Sequence, residues 1–366
     1  MKILFVTLEQ SARENVKVLL NNNFFLNNNN KFYTFGMSGE KLFFRDLTNI
    51  KIKSLMGLVD ISKNLPYLFR LRNSLNLIEK KNNFTHIFFV DSFDFSKFYL
   101  KKYRNNSVKY CQFIGPSVFI WKKNKAKFIN RYFDHIFSIF EVERNFYKKE
   151  KYSYIGHPIL NNIVLDNRDK YPIKNIGIFL GSRYQEIFKN IPIITQLLKN
   201  LDILGNFNFY FFVTKEFEDL IKNSFINKKY QFYLNNHKYY EHLSKLDFAF
   251  ACSGTVHLEL CFSHIPHFIF YKANWFNYLI FKIFVRSKYL SLVNIFNKKS
   301  SIKEFIQSNF NHNIIIKEFE YLLKNKDKFY DYSNLMIKSL NKANIKKIRS
   351  DVIIDYLKKS SLTKED

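Results

Sequence analysis

Phe248-Ala249-Phe250-Ala251-Cys252-Ser253-Gly254-Thr255-Val256-His257-Leu258-Glu259 passes from an apolar run, through small hydroxylic residues, into a helical pattern continued by Leu260 and Cys261. A strand, a tight turn and a helix in that order set backbone N–H groups and the positive end of a helix dipole at the carboxyl edge of a sheet. Gly254 lets a ligand approach the backbone, and Ser253 and Thr255 add hydroxyl donors. Glu259 falls about one turn into the helix, where a carboxylate can accept from a ribose diol. The pattern fits a nucleotide-diphosphate site. It also fits an ordinary helix N-cap, for which Ser, Thr and Gly are common.

A second such turn follows the apolar run Ile176-Gly177-Ile178-Phe179-Leu180 and reads Gly181-Ser182-Arg183-Tyr184-Gln185-Glu186. An arginine there can fork onto phosphate oxygens. The plainer reading pairs Arg183 with Glu186. Two strand–turn–helix signals about seventy residues apart strengthen the phosphate reading of both.

The chain has 366 residues, 47% of them hydrophobic, which is enough for two domains with real cores. Its formal net charge is +27. That charge suits an anionic membrane face or an anionic substrate. Lys, Asn, Ile, Phe and Tyr are abundant throughout while Gly and Pro are scarce, so part of the lysine excess is a solvated surface. No RNA-binding signature or zinc pattern is present, and nucleic acid is not expected as a partner. Cys111, Cys252 and Cys261 form no CxxC pair; Cys111 and Cys252 lie in apolar runs and read as buried thiols of a reducing compartment. The opening Met1-Lys2-Ile3-Leu4-Phe5-Val6-Thr7 is too short for a signal peptide and reads as a first strand. The most apolar window, 275–285, contains Lys282 and is too short to span a bilayer. A cytoplasmic protein, soluble or peripheral, is expected.

Apolar runs at 2–7, 31–36, 84–90, 108–114, 135–140 and 153–156 alternate with helical patterns. The alternation pauses in the polar stretch 162–174 and restarts at 176–180, 207–213, 230–234, 248–251 and 266–271. This is the pattern of doubly wound parallel α/β folds. Two Rossmann-like domains are expected, 1–170 and 171–343, with a last helix (about 344–366) packing back on the first. Ligands would lie in a cleft where the carboxyl ends of the strands face each other.

With these turns placed, the sequence resembles the lipid-A-disaccharide synthase family from the N-terminus to about residue 310. The matching stretches come in the family's order. Gly36-Met37-Ser38-Gly39 and Met56-Gly57 resemble its early turns. Val90-Asp91-Ser92-Phe93-Asp94-Phe95 resembles its Asp-x-Pro-Asp-Phe motif, and Gly115-Pro116-Ser117-Val118-Phe119-Ile120-Trp121 its Pro-Ser-Val-Trp-Ala-Trp motif. Gly156-His157-Pro158, Gly181-Ser182-Arg183 with Glu186, and Ser253-Gly254-Thr255 with Leu258-Glu259 match three more. Tyr289-Leu290-Ser291-Leu292-Val293-Asn294 resembles Tyr-Val-Ser-Leu-Pro-Asn. There are departures. The family's Gly-Glu-x-Ser-Gly-Asp loop appears as Leu8-Glu9-Gln10-Ser11-Ala12-Arg13, keeping Glu9 and Ser11 but losing both glycines and the aspartate. Proline is absent before Gly181 and Asn294, and Phe93 replaces the proline between the aspartates.

The resemblance implies a GT-B type inverting glycosyltransferase. It would join UDP-diacylglucosamine to diacylglucosamine 1-phosphate through a β-1,6 bond, at the inner face of an anionic inner membrane, with no metal or cofactor. No oligomeric state follows. The departing UDP gains charge, which Arg183 and the Gly181-Ser182 and Ser253–Thr255 turns can stabilise. The acceptor hydroxyl must lose a proton, and a carboxylate at a strand's end can take it. Asp91 is the first candidate and Asp94 the second; each also reads as a helix N-terminal acid. Glu259 is assigned to ribose. His157 and Asn294 are donor contacts or structural turn residues. Glu9, Ser11, Ser117 and Trp121 are placed near the acceptor, with the basic run 122–125 behind them. The aromatic stretch 275–286 is an interfacial segment or core.

Another UDP-sugar transferase or epimerase of this architecture would share the donor residues, so only the first-half motifs separate it. A catalytically idle membrane-surface protein would account for the altered loop at 9–13, but not for retained Asp91, Arg183 and Glu259.

Overall fold

The computed structural model describes residues 1–20, 23–26, 31–37, 45–50, 52, 65–118, 124–227, 229–234, 238–272, 288–342 and 344–362. The chain divides into two compact units, Met1–Pro158 with Ile345–Asp366, and Ile159–Asn344.

The first unit is built on a seven-stranded sheet of β1 (Lys2–Thr7), β2 (Lys31–Phe35), β3 (Arg45–Asp46), β4 (His86–Val90), β5 (Lys109–Phe113), β6 (His135–Ser138) and β7 (Tyr152–Tyr154). Its order is β3-β2-β1-β4-β5-β6-β7, and every pairing is parallel. Parallel strands are covered on both faces, so they read as unbroken apolar runs. Alternate residues then serve opposite faces. Ile3 and Phe5 pack with Ala12, Val16 and Leu19 of α1 (Gln10–Leu20). Leu4 and Val6 pack with Leu71 and Leu75 of α3 (Leu65–Asn82), and with Tyr99 and Leu100 of α4 (Phe93–Tyr103); the short α2 spans Asn23–Leu26. α5 (Asn124–Tyr132) joins this second face through Phe128 and Ile129. The fully buried phenylalanines, Phe5, Phe88, Phe89 and Phe113 among them, each contribute about 1.5–3 kcal/mol of burial.

The second unit repeats the plan with β8 (Asn175–Phe179), β9 (Asn208–Val213), β10 (Tyr230–Leu234), β11 (Phe248–Cys252), β12 (His267–Tyr271) and β13 (Glu304–Ile306). The order is β10-β9-β8-β11-β12-β13, again all parallel. Ile187, Ile194 and Leu197 of α6 (Tyr184–Leu204) cover one face, with Phe319 of α11 (His312–Lys324). Leu243 of α8 (Tyr239–Ser244) and Leu260 of α9 (Val256–Phe262) cover the other, packed on the small Ala249 and Ala251. α7 (Glu218–Ser224), α10 (Leu292–Asn297) and α12 (Lys326–Lys342) complete the unit. The fold is thus the doubly wound α/β class read from the sequence, present twice.

The unit boundary falls at Pro158, earlier than the one read near residue 170. Part of the polar stretch before β8 is held by Asp247, 1% exposed, whose carboxylate accepts from the N–H groups of Lys174 (2.9 Å) and Asn175 (2.7 Å) and from the Arg168 guanidinium. This ties the stretch to the second sheet.

The last helix, α13 (Ser350–Leu362), belongs to the first unit. The segment leading to it forms an isolated parallel bridge between Lys347 and His157. Arg349 N–H donates to Ile155 O (2.6 Å) and Lys346 N–H to the Tyr154 hydroxyl (2.8 Å). Ile353 and Leu357 are then buried on the α1 face, and the Tyr356 ring lies 4.4 Å from that of His135. Gly156, at φ +81°, leaves room for this return, since a Cβ there would stand 2.1 Å from Lys347 O. Gly156→Ala should therefore lose about 2–4 kcal/mol, read as a lower denaturation midpoint. An unchanged midpoint would show that the returning segment adds nothing to the first unit.

Candidate functional site

In an open parallel sheet, ligands sit at the carboxyl edge where neighbouring connections diverge to opposite faces. In the second unit that place lies between β8 and β11. Ala251 is in register with Phe179, so the Gly181 and Ser253 turns leave the sheet side by side. Gly181 adopts φ +111°, and a Cβ on it would meet Cys252 Sγ at 3.3 Å. Ser182, Arg183, Gly254 and Thr255 are exposed and Ser253 is half-buried. The Ser253 N–H is committed to Phe270 O (2.9 Å). The Arg183 guanidinium, 59% exposed, donates to Glu186 Oε1 at 2.8 Å. Glu259 is half-buried and accepts from the Tyr239 hydroxyl at 2.5 Å; the Tyr240 hydroxyl also reaches it. Burial raises its pKa. A carboxylate has about four lone-pair directions, so capacity for a diol remains.

The turns are held by buried groups that the sequence reading did not single out. Asn190 of α6 donates to Leu180 O (2.9 Å) and fixes the approach to Gly181. His257 is the second residue of α9 and is 3% exposed. Its Nδ1 bonds Gly254 O, which can only accept, so Nδ1 carries the proton. Its Nε2 accepts from Leu292 N–H at 3.0 Å. Burial holds its pKa at about 4, so the imidazole is neutral. It staples the Ser253–Thr255 turn to the start of α10. Glu304 of β13 secures the same start from the other side, accepting from Leu290 N–H and Ser291 N–H, both at 2.9 Å. Asn294 completes this network: it donates to Ile302 O (2.8 Å) and Glu304 Oε1 (2.7 Å), and accepts from Ser301 N–H and Ile302 N–H. The side chain is fully buried with its hydrogen-bonding capacity spent, which fits the structural-turn reading of Asn294.

In the first unit the corresponding place lies between β1 and β4. Thr7 is in register with Val90, so Glu9 and Asp91 follow adjacent strand ends. Both are half-buried. Asp91 (φ 56°) and Ser92 (φ 31°) are consecutive left-handed residues, a backbone held only where surroundings impose it. The clamp is Gln112 of β5, fully buried, donating to Asp91 O (2.6 Å) and to Ile114 O (3.1 Å), another left-handed corner. Asp91 N–H donates to Phe113 O (2.8 Å). Asp94 instead lies in the first turn of α4, exposed, and pairs with Lys125 at 3.5 Å, so its place is that of a first-turn helix acid.

Ser117 is half-buried in the turn after β5. That turn is anchored by Glu143, 1% exposed, which accepts from Val118 N–H (3.2 Å) and from the Ser138 hydroxyl (2.6 Å). Burial pushes the Glu143 pKa up to about 8. His157 is 4% exposed, lies against the Phe140 ring and has its pKa lowered by burial to about 4. These surroundings, beneath the returning C-terminal segment, fit the structural-turn reading of His157. Ser11 lies in α1, and its side chain is outside the described residues, as are Trp121, Lys122, Lys123 and the stretch 275–286. Cys111, Cys252 and Cys261 are buried free thiols. Among the described residues no helix is long and apolar enough to cross a membrane.

Solved structures with this architecture include a UDP-GlcNAc 2-epimerase from Neisseria meningitidis bound to UDP-GlcNAc. It has a TM-score of 0.63 and 13% identity, covering 98% of this chain and 100% of that one. The spinosyn rhamnosyltransferase SpnG complexed with thymidine diphosphate has a TM-score of 0.61 and 7% identity, over 98% and 100%. Acinetobacter baumannii MurG has 0.57 and 8%, over 98% and 99%. At these identities the likeness is one of fold. Two parallel-sheet α/β domains with these turns at their switch points give the protein the GT-B fold. A model of the lipid-A-disaccharide synthetase family matches residues 3–353, and the chain belongs to that family. The lipid-A-disaccharide synthase of Aquifex aeolicus is 27% identical over 343 residues, covering 89% of this chain and 92% of the relative. That of Acinetobacter baylyi is 28% identical over 301 residues, 75% of each.

His257→Leu would leave Gly254 O and Leu292 N–H without their partner, and should cost about 2 kcal/mol in denaturation. Its pH signature is separable. The folded pKa of about 4 lies below the ordinary 6.5. Between those values the unfolded chain binds a proton that the folded chain does not, so this residue's contribution is present above pH 6.5 and is lost as pH falls towards 4. The wild type should lose stability across that window more steeply than the variant, by up to about 1.4 kcal/mol per pH unit. Parallel pH profiles would contradict a buried neutral His257.

Proposed function

We infer that this glycosyltransferase moves a diacylglucosamine unit from UDP to diacylglucosamine 1-phosphate, giving lipid A disaccharide 1-phosphate and UDP. The observation that carries the reading is the family match over residues 3–353, which spans both units. The two switch-point edges supply residues of suitable chemistry. The 6-hydroxyl of the acceptor attacks the anomeric carbon of the donor from the face opposite UDP. The bond from that carbon to the diphosphate oxygen breaks, its electron pair leaves with UDP, and the configuration inverts. The hydroxyl proton passes to a base.

Charge developing on the departing diphosphate is met by Arg183 and the Gly181 and Ser253–Thr255 turns; preorganised donors of this kind are usually the largest single catalytic contribution. Glu259 takes the ribose diol. Asp91 is the base, because its backbone is clamped at the switch point of the first sheet, whereas Asp94 sits exposed in a helix turn beside Lys125. Glu9, Ser11, Ser117 and Trp121 serve the acceptor. The second unit is the donor domain and the first the acceptor domain. Both substrates carry acyl chains. The enzyme therefore works as a peripheral protein on the anionic inner face of the inner membrane, where a net charge of +27 is attractive.

The test is UDP release by the purified protein from UDP-diacylglucosamine, with and without diacylglucosamine 1-phosphate. Release should depend on the acceptor and vanish in Arg183→Ala. Asp91→Asn should lower turnover by about 10²–10⁴ while leaving UDP affinity unchanged. Donor binding without acceptor-dependent release would overturn the acceptor assignment, and full activity in Asp91→Asn would remove Asp91 as the base.

A further inference from the structure

The glycine of the first phosphate turn makes room for a carboxylate of this chain itself. A Cβ built on Gly181 would stand 2.9 Å from Glu186 Oε2 and 3.1 Å from Glu186 Cβ. Glu186 therefore folds back from the first turn of α6 over the Gly181 backbone. Its side chain is 12% exposed, and its other oxygen, Oε1, takes the Arg183 guanidinium at 2.8 Å. Burial raises the pKa of the Cys252 thiol at the end of β11 and of the Tyr271 phenol at the end of β12, and the nearby charge of Glu186 raises both further. An anion is thus already seated over the Gly181 turn, on the arginine assigned to the diphosphate.

We propose that Glu186 is an internal counter-ion occupying the diphosphate position of the Gly181 turn, and that donor binding displaces it and transfers Arg183 from carboxylate to phosphate. This rests on the donor reading above. A guanidinium pairs with carboxylate and phosphate through the same fork geometry, so the exchange needs no new donor. Arg183 is oriented before the donor arrives, and the returning carboxylate competes with UDP after transfer. Glu186 is a positioning and release residue; it touches no reacting atom.

The experiment is calorimetric titration of the full-length protein with UDP and, separately, with inorganic pyrophosphate, comparing wild type, Glu186→Gln and Glu186→Ala. Loss of a like charge beside the diphosphate should tighten both ligands about five-fold at low salt. The gain should shrink as ionic strength rises. A purely structural carboxylate would not do this, because its loss could only weaken binding. Two variants of different size guard against a packing artefact, since both remove the charge. Weaker or unchanged binding in both, with wild type binding UDP normally, would overturn the proposal and leave the donor site standing. No UDP binding by any of the three would overturn the donor reading, and this proposal with it.

Discussion

Parallel strands can be joined only by crossovers, and at two places here the crossovers leaving adjacent strands run to opposite faces. α1, after β1, packs on the Ile3 and Phe5 face, while α4, after β4, packs on the Leu4 and Val6 face. In the second unit α6 covers the Ile176 and Ile178 face, and α9 the Ala249 and Ala251 face. The divergence leaves a gap at the carboxyl edge that no helix among the described residues fills. Asp91 lies at one such gap; Arg183 and the Ser253–Thr255 turn lie at the other.

A gap in the sheet gives position but not precision, which comes from buried polar groups. Burying an amide, imidazole or carboxyl is costly unless its hydrogen bonds are made, so each such group holds its partners in one geometry. Gln112 clamps the left-handed corners at Asp91 and Ile114. Asn190 and His257 fix the Gly181 and Ser253–Thr255 turns, and Glu304 with Asn294 fixes the segment to which His257 is stapled. Glu143 does the same for the turn carrying Ser117 and Val118. The lowered pKa of His257 and the raised pKa of Glu143 have one cause, desolvation by the core that positions them.

Much of this was legible in sequence because the physics is local. Strands buried on both faces produce continuous apolar runs, so β8, β9, β11 and β12 could be bounded to within a residue or two. Turns that approach a ligand need glycine and small hydroxylic residues at fixed offsets, which exposes Gly181 and Gly254. His157 and Asn294 were less legible. A histidine or asparagine in a turn beside a motif looks the same whether it faces a ligand or the core, because the deciding partners, Lys346 O for His157 N–H and Ile302 and Glu304 for Asn294, come from elsewhere in the chain. The clamps, Gln112, Asn190 and Glu143, carry no local signature, for a buried amide or carboxyl earns its role only from distant backbone groups.

By itself the sequence determined the fold class, the two-sheet organisation and where the glycine- and hydroxyl-bearing turns fall, since each follows from residue type and spacing along one segment. The tertiary structure alone decided which polar residues point inward, and that Glu186 rather than open space lies over Gly181. Those outcomes depend on contacts between segments far apart in sequence, where burial and hydrogen-bond satisfaction, not local propensity, choose the partner.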